Sequence, residues 1–211
     1  KYIMDKPEDM FKNFFLHLEE KRVKDARDPN VNRKVKVEYE NKRIEEIDEK
    51  DLIRSLMFDD KNDVMERINY KEFELIVNGK VHGEELPFVV SHYNGYIKYV
   101  GDHEDIKTKM NEIFAMEEVE TLVHYGWTGG FEDAIGFDCA HAGDIRINKS
   151  LKKLMEMSPE DIKNLDPVDL YTSKEYAFFG DDRETFKSRE YLFEMLRSVA
   201  DKTMEIYERD N

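Results

Sequence analysis

Residues 73–100, FELIVNGKVHGEELPFVVSHYNGYIKYV, decide the fold that this chain is expected to adopt. From residue 72 onward the apolar residues recur with a period close to two, which is typical of strands with one buried face. Strands are predicted at residues 73–77, 88–91 and 96–100. The dipeptides Asn78-Gly79 and Asn94-Gly95 are typical of two-residue hairpin turns. The stretch therefore predicts antiparallel hairpins.

The segments on either side alternate between helical and extended patterns. Before the stretch, helices are predicted at residues 7–26, 49–57 and 60–68, and strands at 34–39 and 42–47. After it, helices are predicted at 104–116, 149–157, 158–165 and 184–208, and strands at 119–125 and 134–138. The last two strands are expected to pair as antiparallel neighbours across the Gly-rich loop 126–130. The pattern predicts an α+β fold with a largely antiparallel sheet, flanking helices and a long C-terminal helix.

Two domain organisations fit this pattern. In the first, residues 1–70 form an N-terminal helical, charged segment and residues 71–211 form the α+β core, with a seam near residue 70. In the second, the chain is one continuous domain. In either case the closing helix is expected to pack a stripe containing Tyr191, Leu196 and Val199 on the sheet.

Composition and charge narrow the classes of partner. The chain has 33 basic and 48 acidic residues and a formal net charge of −15, which disfavours binding to nucleic acid phosphates. Its single cysteine excludes an internal disulfide and suits a reducing compartment. Neither an apolar run near 18 residues nor a secretory pattern is present, so no membrane span and a cytoplasmic location are expected. The acidic surface serves solubility or mimics a polyanion toward a basic partner.

The stretch GFDCAHAGD, residues 136–144, concentrates the groups that could carry chemistry. In an extended chain Cys139 and His141 point to the same side, about 7 Å apart at the backbone, while Asp138 points to the other. Gly143 permits a turn that brings Asp144 back. The predicted hairpin would carry His124, with the following Trp127 and Thr128, to the same end of the sheet. These residues are the predicted site.

Three interpretations of this stretch remain open. The first is a zinc site made by His124, Cys139 and His141, with Asp144 or Asp138 as the fourth ligand. The second is a Cys139 nucleophile with His141 as base and Asp138 as the group that orients it, with N–H donors from residues 126–130. The third is structural: the cysteine is a small buried hydrophobe and the polar residues complete a tight turn.

Three blocks of the sequence resemble a family of small uncharacterised proteins encoded by phages and prophages. They are GYIKYVGDH at 95–103, VHYGWT at 123–128 and GFDCAHAGD at 136–144, and the closing helix shares the Glu190-Tyr191-Leu192 pattern. The chain departs from the family pattern at Glu104, where the family has proline, and at Tyr125, where it has glycine. The resemblance implies a phage or prophage origin and a place in the host cytoplasm. It marks as motif positions His103, His124, Asp138, Cys139, His141 and Asp144.

Three functions therefore compete. The first is an accessory protein whose polar pocket binds a small ligand or a host factor, and which thereby counters host defence. The second is a hydrolase that depends on a metal or on Cys139. The third is an acidic interaction protein in which the motif is purely structural. The binding function is placed first, because the sequence supplies the residue types of a catalytic site without fixing their geometry.

Overall fold

A computed structural model describes residues 33–84, 86–141, 143–149, 157–175 and 184–210. The helix predicted at 7–26 and most of that predicted at 149–157 lie outside these residues. The strands are β1 (Lys34–Glu38), β2 (Ile44–Asp48), β3 (Met57–Phe58), β4 (Met65–Tyr70), β5 (Phe73–Val81), β6 (Phe88–Tyr99), β7 (Gly129–Phe131), β8 (Ala134–Asp138), β9 (Ile145–Lys149), β10 (Tyr171–Glu175) and β11 (Phe186–Lys187). The α-helices are α1 (Glu49–Ser55), α2 (Glu104–Phe114), α3 (Glu117–Glu120), α4 (Pro159–Asn164) and α5 (Arg189–Asp210).

The main sheet has the strand order β4-β5-β6-β8-β7 with antiparallel neighbours, and β3 pairs with the start of β6. A second sheet joins β11, β1 and β2, and a two-stranded sheet joins β9 and β10. The predicted α+β class with a largely antiparallel sheet and a long C-terminal helix is confirmed. In the described part of the chain, no helix is long and apolar enough to span a membrane.

The two faces of strand β6 lie in different environments. On one face Tyr93, Ile97 and Tyr99 are buried against the core. On the other face His92, Asn94 and their neighbours are only partly covered. This alternation follows from the period of two along a strand. It separates an apolar layer under α5 from a polar layer on the outer face of the sheet.

Both Asn-Gly dipeptides lie inside strands, so the two hairpin turns predicted from them are wrong. Asn78 on β5 pairs with Asn94 on β6, and the two strands are connected through residues 82–87 instead. A Cβ atom at Gly79 would lie 2.6 Å from Val90 Cγ2, and one at Gly95 would lie 2.8 Å from Phe137 Cζ. The glycines therefore leave room for core side chains to approach the backbone, and packing decides the local structure.

Other expectations also fail locally. Residues 119–125 do not form a strand: they contain the end of the short helix α3 and the turns after it, so the hairpin predicted with 134–138 is wrong. The partner of β8 on that side is β7, which comes from the Gly-rich loop itself. The helix predicted at 60–68 is a 3-10 turn, Lys61–Val64, followed by β4. The pair β9 and β10 has no counterpart among the predicted strands.

Helix α5 closes the core as expected, although it begins at Arg189 rather than near residue 184. The Ser188 hydroxyl accepts from the Tyr191 backbone N–H at 3.2 Å, which satisfies one of the donors at the start of the helix. The buried stripe packs on β5 and β6 and includes Leu192, Leu196, Val199 and Ile206. Burial of this stripe, rather than helix propensity, accounts for most of the stability of such a helix.

The described residues from 34 onward cluster as one compact unit. The hairpin of β4 and β5 crosses the position of the expected seam, since Tyr70 pairs with Phe73. The parallel pair of β1 and β11 brings Glu38 opposite Lys187, although the two residues are far apart in sequence. This long-range pairing brings Glu38 and Lys187 together in the first of the polar clusters described next.

Candidate functional site

The stretch 136–144 contributes to two polar clusters that lie side by side. We call the first the buried ionic hub, which consists of Glu38, His124, Asp144, Thr185, Lys187 and Tyr191. We call the second the outer polar cluster, which consists of His92, Asn94, Asp138, His141 and Arg146. The rings of His124 and His141 have centroids 5.9 Å apart, so the predicted proximity of these two histidines is confirmed.

Asp144 is the centre of the buried ionic hub, and only 1% of its side chain is exposed. Its two carboxylate oxygens lie 3.0 and 2.8 Å from His124 Nε2. The backbone N–H of His141 donates to the same carboxylate at 3.0 Å, and Lys187 Nζ lies 4.0 Å away. A buried carboxylate is stable only with such donors around it.

The partners of His124 fix which ring nitrogen carries the proton. A carboxylate only accepts hydrogen bonds, so Nε2 holds the hydrogen that points to Asp144. Nδ1 lies 3.2 Å from the Tyr191 hydroxyl. Burial, and next to it the neighbouring Cys139, raises the pKa of the Tyr191 hydroxyl above its ordinary value, so Tyr191 keeps its proton and donates to Nδ1. The chain of hydrogen bonds therefore runs from Tyr191 through His124 to Asp144.

Lys187 completes the hub from the β11 side. Its ammonium group donates to Glu38 Oε2 at 2.5 Å and to the Thr185 hydroxyl at 2.6 Å. The Thr185 hydroxyl in turn donates to Glu38 at 3.0 Å. The hub thus joins β1, β11, the start of α5 and the two loops that carry His124 and Asp144. Its hydrogen bonds are satisfied internally, which is the behaviour of a structural network.

Cys139 is buried between the two clusters and continues the β8 ladder, because its backbone N–H donates to the Tyr93 carbonyl at 3.2 Å. Burial, with Asp144 as the next cause, raises the pKa of its thiol well above the ordinary value. A reactive cysteine needs an accessible thiolate, so this environment does not support the interpretation of Cys139 as a nucleophile. It agrees with a small buried hydrophobic residue.

Within the described part of the chain, no group of three or more His, Cys, Asp or Glu side chains is placed to hold a metal ion. The four donors considered for zinc, which were His124, Cys139, His141 and Asp144, are engaged differently. Asp144 already accepts from His124 and from the His141 backbone. The donor geometry therefore does not fit the predicted zinc site.

The outer polar cluster begins where β6 pairs with β8. Asn94 lies directly opposite Asp138, so their side chains share the outer face of the sheet. His92 lies two residues from Asn94 on the same face. His141 Nε2 lies 3.5 Å from Asp138 Oδ1, just beyond a good hydrogen bond. Arg146 extends from β9 close enough to His92 for its charge to affect that ring.

The buried polar atoms of this cluster that lack a hydrogen-bond partner include His92 Nδ1, Asn94 Oδ1 and His141 Nε2. Folded proteins leave few such atoms, since each costs about 1–3 kcal/mol. The cluster is nevertheless reachable from solvent, because the side chains of His141 and Asp138 are 27% and 32% exposed. The unpartnered atoms therefore belong to side chains of one cluster, and two side chains of that cluster reach solvent.

The charge of His92 follows from its surroundings. Burial first, and the positive charge of Arg146 second, lower the pKa of this imidazole to about 4. Asp138 and Asp144 act in the opposite direction but do not compensate. His92 is therefore neutral at pH 7, with one ring nitrogen that donates and one that accepts.

The remaining predicted site residues lie in other surroundings. Trp127 donates from Nε1 to the Phe114 carbonyl at 2.9 Å and packs against the Phe114 ring, so it anchors the edge of the core. Thr128 holds β8, because its hydroxyl accepts from the Asp138 backbone N–H at 3.0 Å. These contacts give both side chains a structural role.

His103 lies apart from both clusters. It precedes α2, and its ring lies near Glu72 and has its centroid 5.9 Å from that of Tyr207. Tyr207 and Tyr191 are sixteen residues apart on α5, which corresponds to about 24 Å along the helix. Because Tyr191 contacts His124, the structure does not bring His103 to the hub.

Sequence reasoning missed His92, Asn94 and Arg146. The sequence pattern places Asn94 in a turn, and it does not indicate a partner for His92. The available signal was the alternation of polar residues along 92–98, which indicates a polar face. Its link to Asp138 depends on the pairing of β6 with β8, which the sequence pattern did not predict.

No protein-family model, curated protein or solved structure matches the chain. The resemblance of its motif to a phage family therefore stays a prediction from the sequence.

Proposed function

We propose that this protein binds a small polar ligand, and that the outer polar cluster is the binding site. One observation carries the proposal: His92 Nδ1, Asn94 Oδ1 and His141 Nε2, which belong to side chains of the outer polar cluster, are buried without hydrogen-bond partners. A ligand that supplied those partners would recover the free energy that the unbound protein forgoes. Convergent polar groups of this kind fix the orientation of small ligands in binding sites.

The buried ionic hub has a supporting role in this proposal. Asp144 accepts from the His141 backbone N–H, and His124 lies beside the His141 ring. The hub therefore fixes the position of His141, whose side chain belongs to the outer polar cluster. A rigid support behind a binding residue reduces the entropy that is lost when the ligand binds.

The biological setting that we propose is that of a phage or prophage accessory protein. This part of the proposal is supported by the resemblance of the blocks at 95–103, 123–128 and 136–144. Sequestering a small host molecule would be one means of countering host defence, and it needs no catalytic group. The net charge of −15 supports a ligand other than nucleic acid.

The test is a ligand screen read by NMR on protein with ¹⁵N-labelled histidine rings. Mixtures of sugars, nucleosides, amino acids and carboxylic acids are added to the full chain. We expect at least one mixture to shift the ring signals of His92 and His141 together. The signals of His103 serve as an internal control, because this ring is half-exposed and lies near Glu72 and Tyr207.

A double variant, Asn94→Ala with Asp138→Asn, gives the matched control. It removes the Asn94 amide and the negative charge of Asp138, and it leaves the hydrogen bonds of the buried ionic hub in place. Loss of the response in this variant would support the site. Mixtures that move His103 as much as His92 and His141, or that move none of the three, would contradict the proposal.

A further inference from the structure

The hydrogen-bonding groups of the outer polar cluster differ in what they can accept and donate. The Asn94 amide donates from Nδ2 to the Tyr96 hydroxyl at 3.2 Å, and its Oδ1 remains an acceptor without a partner. Asp138 accepts from the Ala140 backbone N–H at 3.0 Å and keeps further lone pairs. Asn94 and Asp138 lie directly opposite each other. A ligand must therefore present two adjacent donors to this pair.

The two imidazoles accept a wider choice of partner. A ring nitrogen donates or accepts according to the tautomer, and the free nitrogens here are His92 Nδ1 and His141 Nε2. A hydroxyl group has the same versatility, because it carries one donor and two acceptor sites. Neighbouring hydroxyl groups can thus donate to Asn94 and Asp138 and still pair with the imidazoles.

The charges around the cluster oppose an ionic ligand of either sign. A cation would meet the positive charge of Arg146, which acts on His92 within the same cluster. An anion would face the Asp138 carboxylate within the same cluster, with Asp144 behind it. An uncharged ligand avoids both penalties.

An aromatic ring borders the cluster on the side of His141. Tyr125 is 65% exposed, and its ring centroid lies 4.8 Å from that of His141. The residue is held with φ of 56°, in the left-handed region that non-glycine residues seldom occupy. An exposed ring fixed beside polar groups offers an apolar surface for the C–H face of a sugar.

We infer that the outer polar cluster binds the vicinal hydroxyl groups of an uncharged sugar ring, with Asn94 and Asp138 accepting from the two hydroxyls. This inference rests on the proposed function and names the ligand class of the same site. A free hexose and the ribose of a nucleoside both present this chemistry. The Asn94 and Asp138 acceptors would bind the hydroxyl groups of either sugar.

Five probes separate these sources and the competing classes: methyl α-D-glucopyranoside, adenosine, 2′-deoxyadenosine, adenine and acetate. We expect the two diol-containing probes, the glucoside or adenosine or both, to shift the His92 and His141 ring signals. We expect 2′-deoxyadenosine, adenine and acetate to bind at least about tenfold more weakly than the better diol, which corresponds to ~1.4 kcal/mol. A stronger glucoside response indicates a hexose, and a stronger adenosine response indicates a ribose.

Variants localise the response. Asn94→Ala and, separately, Asp138→Asn should each weaken the diol response by about tenfold or more. Asp133→Asn is the matched control, since Asp133 is 89% exposed in the turn between β7 and β8. Backbone NMR spectra confirm that each variant is folded. Unchanged diol affinity in both site variants would overturn the inference.

The remaining outcomes distinguish the ligand class from the site. Equal responses to adenosine, 2′-deoxyadenosine and adenine would show recognition of the base, which overturns the diol inference and leaves the proposed binding function standing. A response to acetate alone would overturn it in favour of an anion. Silence from all five probes overturns the diol inference, and the broader screen then decides the proposed function separately.

Discussion

The buried ionic hub and the outer polar cluster share the stretch 136–144 but differ in how their hydrogen bonds are met. In the hub, the Asp144 carboxylate accepts hydrogen bonds from the His124 ring and from the His141 backbone N–H, and the Lys187 ammonium lies nearby. In the outer cluster, polar atoms of His92, Asn94 and His141 are buried without partners. A network whose hydrogen bonds are all made within the protein stabilises the fold. A network with unmade hydrogen bonds needs a bound molecule to complete them.

The difference also separates two kinds of motif residue. Cys139 and Asp144 are buried, and their environments are explained by the fold itself. Asp138 and His141 reach solvent, and the fold leaves His141 Nε2 without a hydrogen-bond partner. One short sequence motif thus combines a structural half and a candidate binding half. Four measurements test this division, and they follow in order of expected effect.

The largest effect is expected from Asp144→Ala. The substitution leaves His124 Nε2–H and the His141 backbone N–H without an acceptor and removes a charge close to Lys187. Breaking a buried ionic network in this way should cost about 3–5 kcal/mol of unfolding free energy, measured by chemical denaturation. Asp133→Ala is the control and should change stability by less than about 0.5 kcal/mol. A loss below about 1 kcal/mol in Asp144→Ala would show that the hub is not structural.

The second measurement sharpens the comparison by separating charge from packing. Helix α5 carries Tyr191 of the hub and, five residues further along, the fully buried Leu196. Leu196→Ala should cost about 2–5 kcal/mol through lost burial and the cavity that remains. Ser198→Ala, on the exposed side of the same helix, should be within about 0.5 kcal/mol of the native chain. A small loss at Leu196 would instead place α5 at the periphery of the core.

The third measurement uses pH to report on the outer cluster. The folded protein holds the pKa of His92 at about 4, below its ordinary value of 6.5. The unfolded chain therefore binds a proton that the folded chain does not, so this stability is complete above pH 6.5 and is lost as pH falls toward 4. The loss should approach about 3 kcal/mol. His92→Gln should remove this part of the pH dependence, as measured by denaturation between pH 4 and 7. Parallel curves for the two proteins would contradict the environment assigned to His92.

The smallest change in stability is expected from His141→Ala. This side chain is 27% exposed, and its Nε2 makes no hydrogen bond, so unfolding free energy should change by less than about 1 kcal/mol. Ligand binding in the NMR screen should nevertheless be lost. His103→Ala, which alters a half-exposed ring near Tyr207, should retain it. A destabilisation of several kcal/mol would move His141 from the binding half of the motif to the structural half.

The sequence predicted the fold class because the periodicity of its apolar residues matches the buried faces of the strands and helices in the structure. The alternation in β5 and β6 and the apolar stripe of α5 are both real. The pair of β1 and β2 and the helices α1 and α2 were also predicted close to their observed positions. In each case the local pattern and the tertiary burial agree, which is when sequence reasoning works.

The failures come from residues whose role depends on distant neighbours. Gly79 and Gly95 are typical of turns by local criteria, yet Val90 and Phe137 occupy the space that a Cβ atom would need. The predicted strand at 119–125 includes apolar residues that a short helix and its turns bury equally well, such as Val119 and Val123. Short apolar runs do not separate helix from strand, because both bury them.

For the site, the sequence by itself determined which chemical groups are available and that 136–144 gathers several of them. It also indicated the nearness of His124 and His141, although the hairpin invoked for it does not exist. Only the tertiary structure decided that Asp144 makes its hydrogen bonds within the hub and that Cys139 is buried. It also decided that His92 and Asn94 lie in the same cluster as Asp138. The physical reason is that hydrogen-bond satisfaction depends on every neighbour in space. The strand pairings that supply those neighbours, β6 with β8 and β1 with β11, join residues dozens of positions apart.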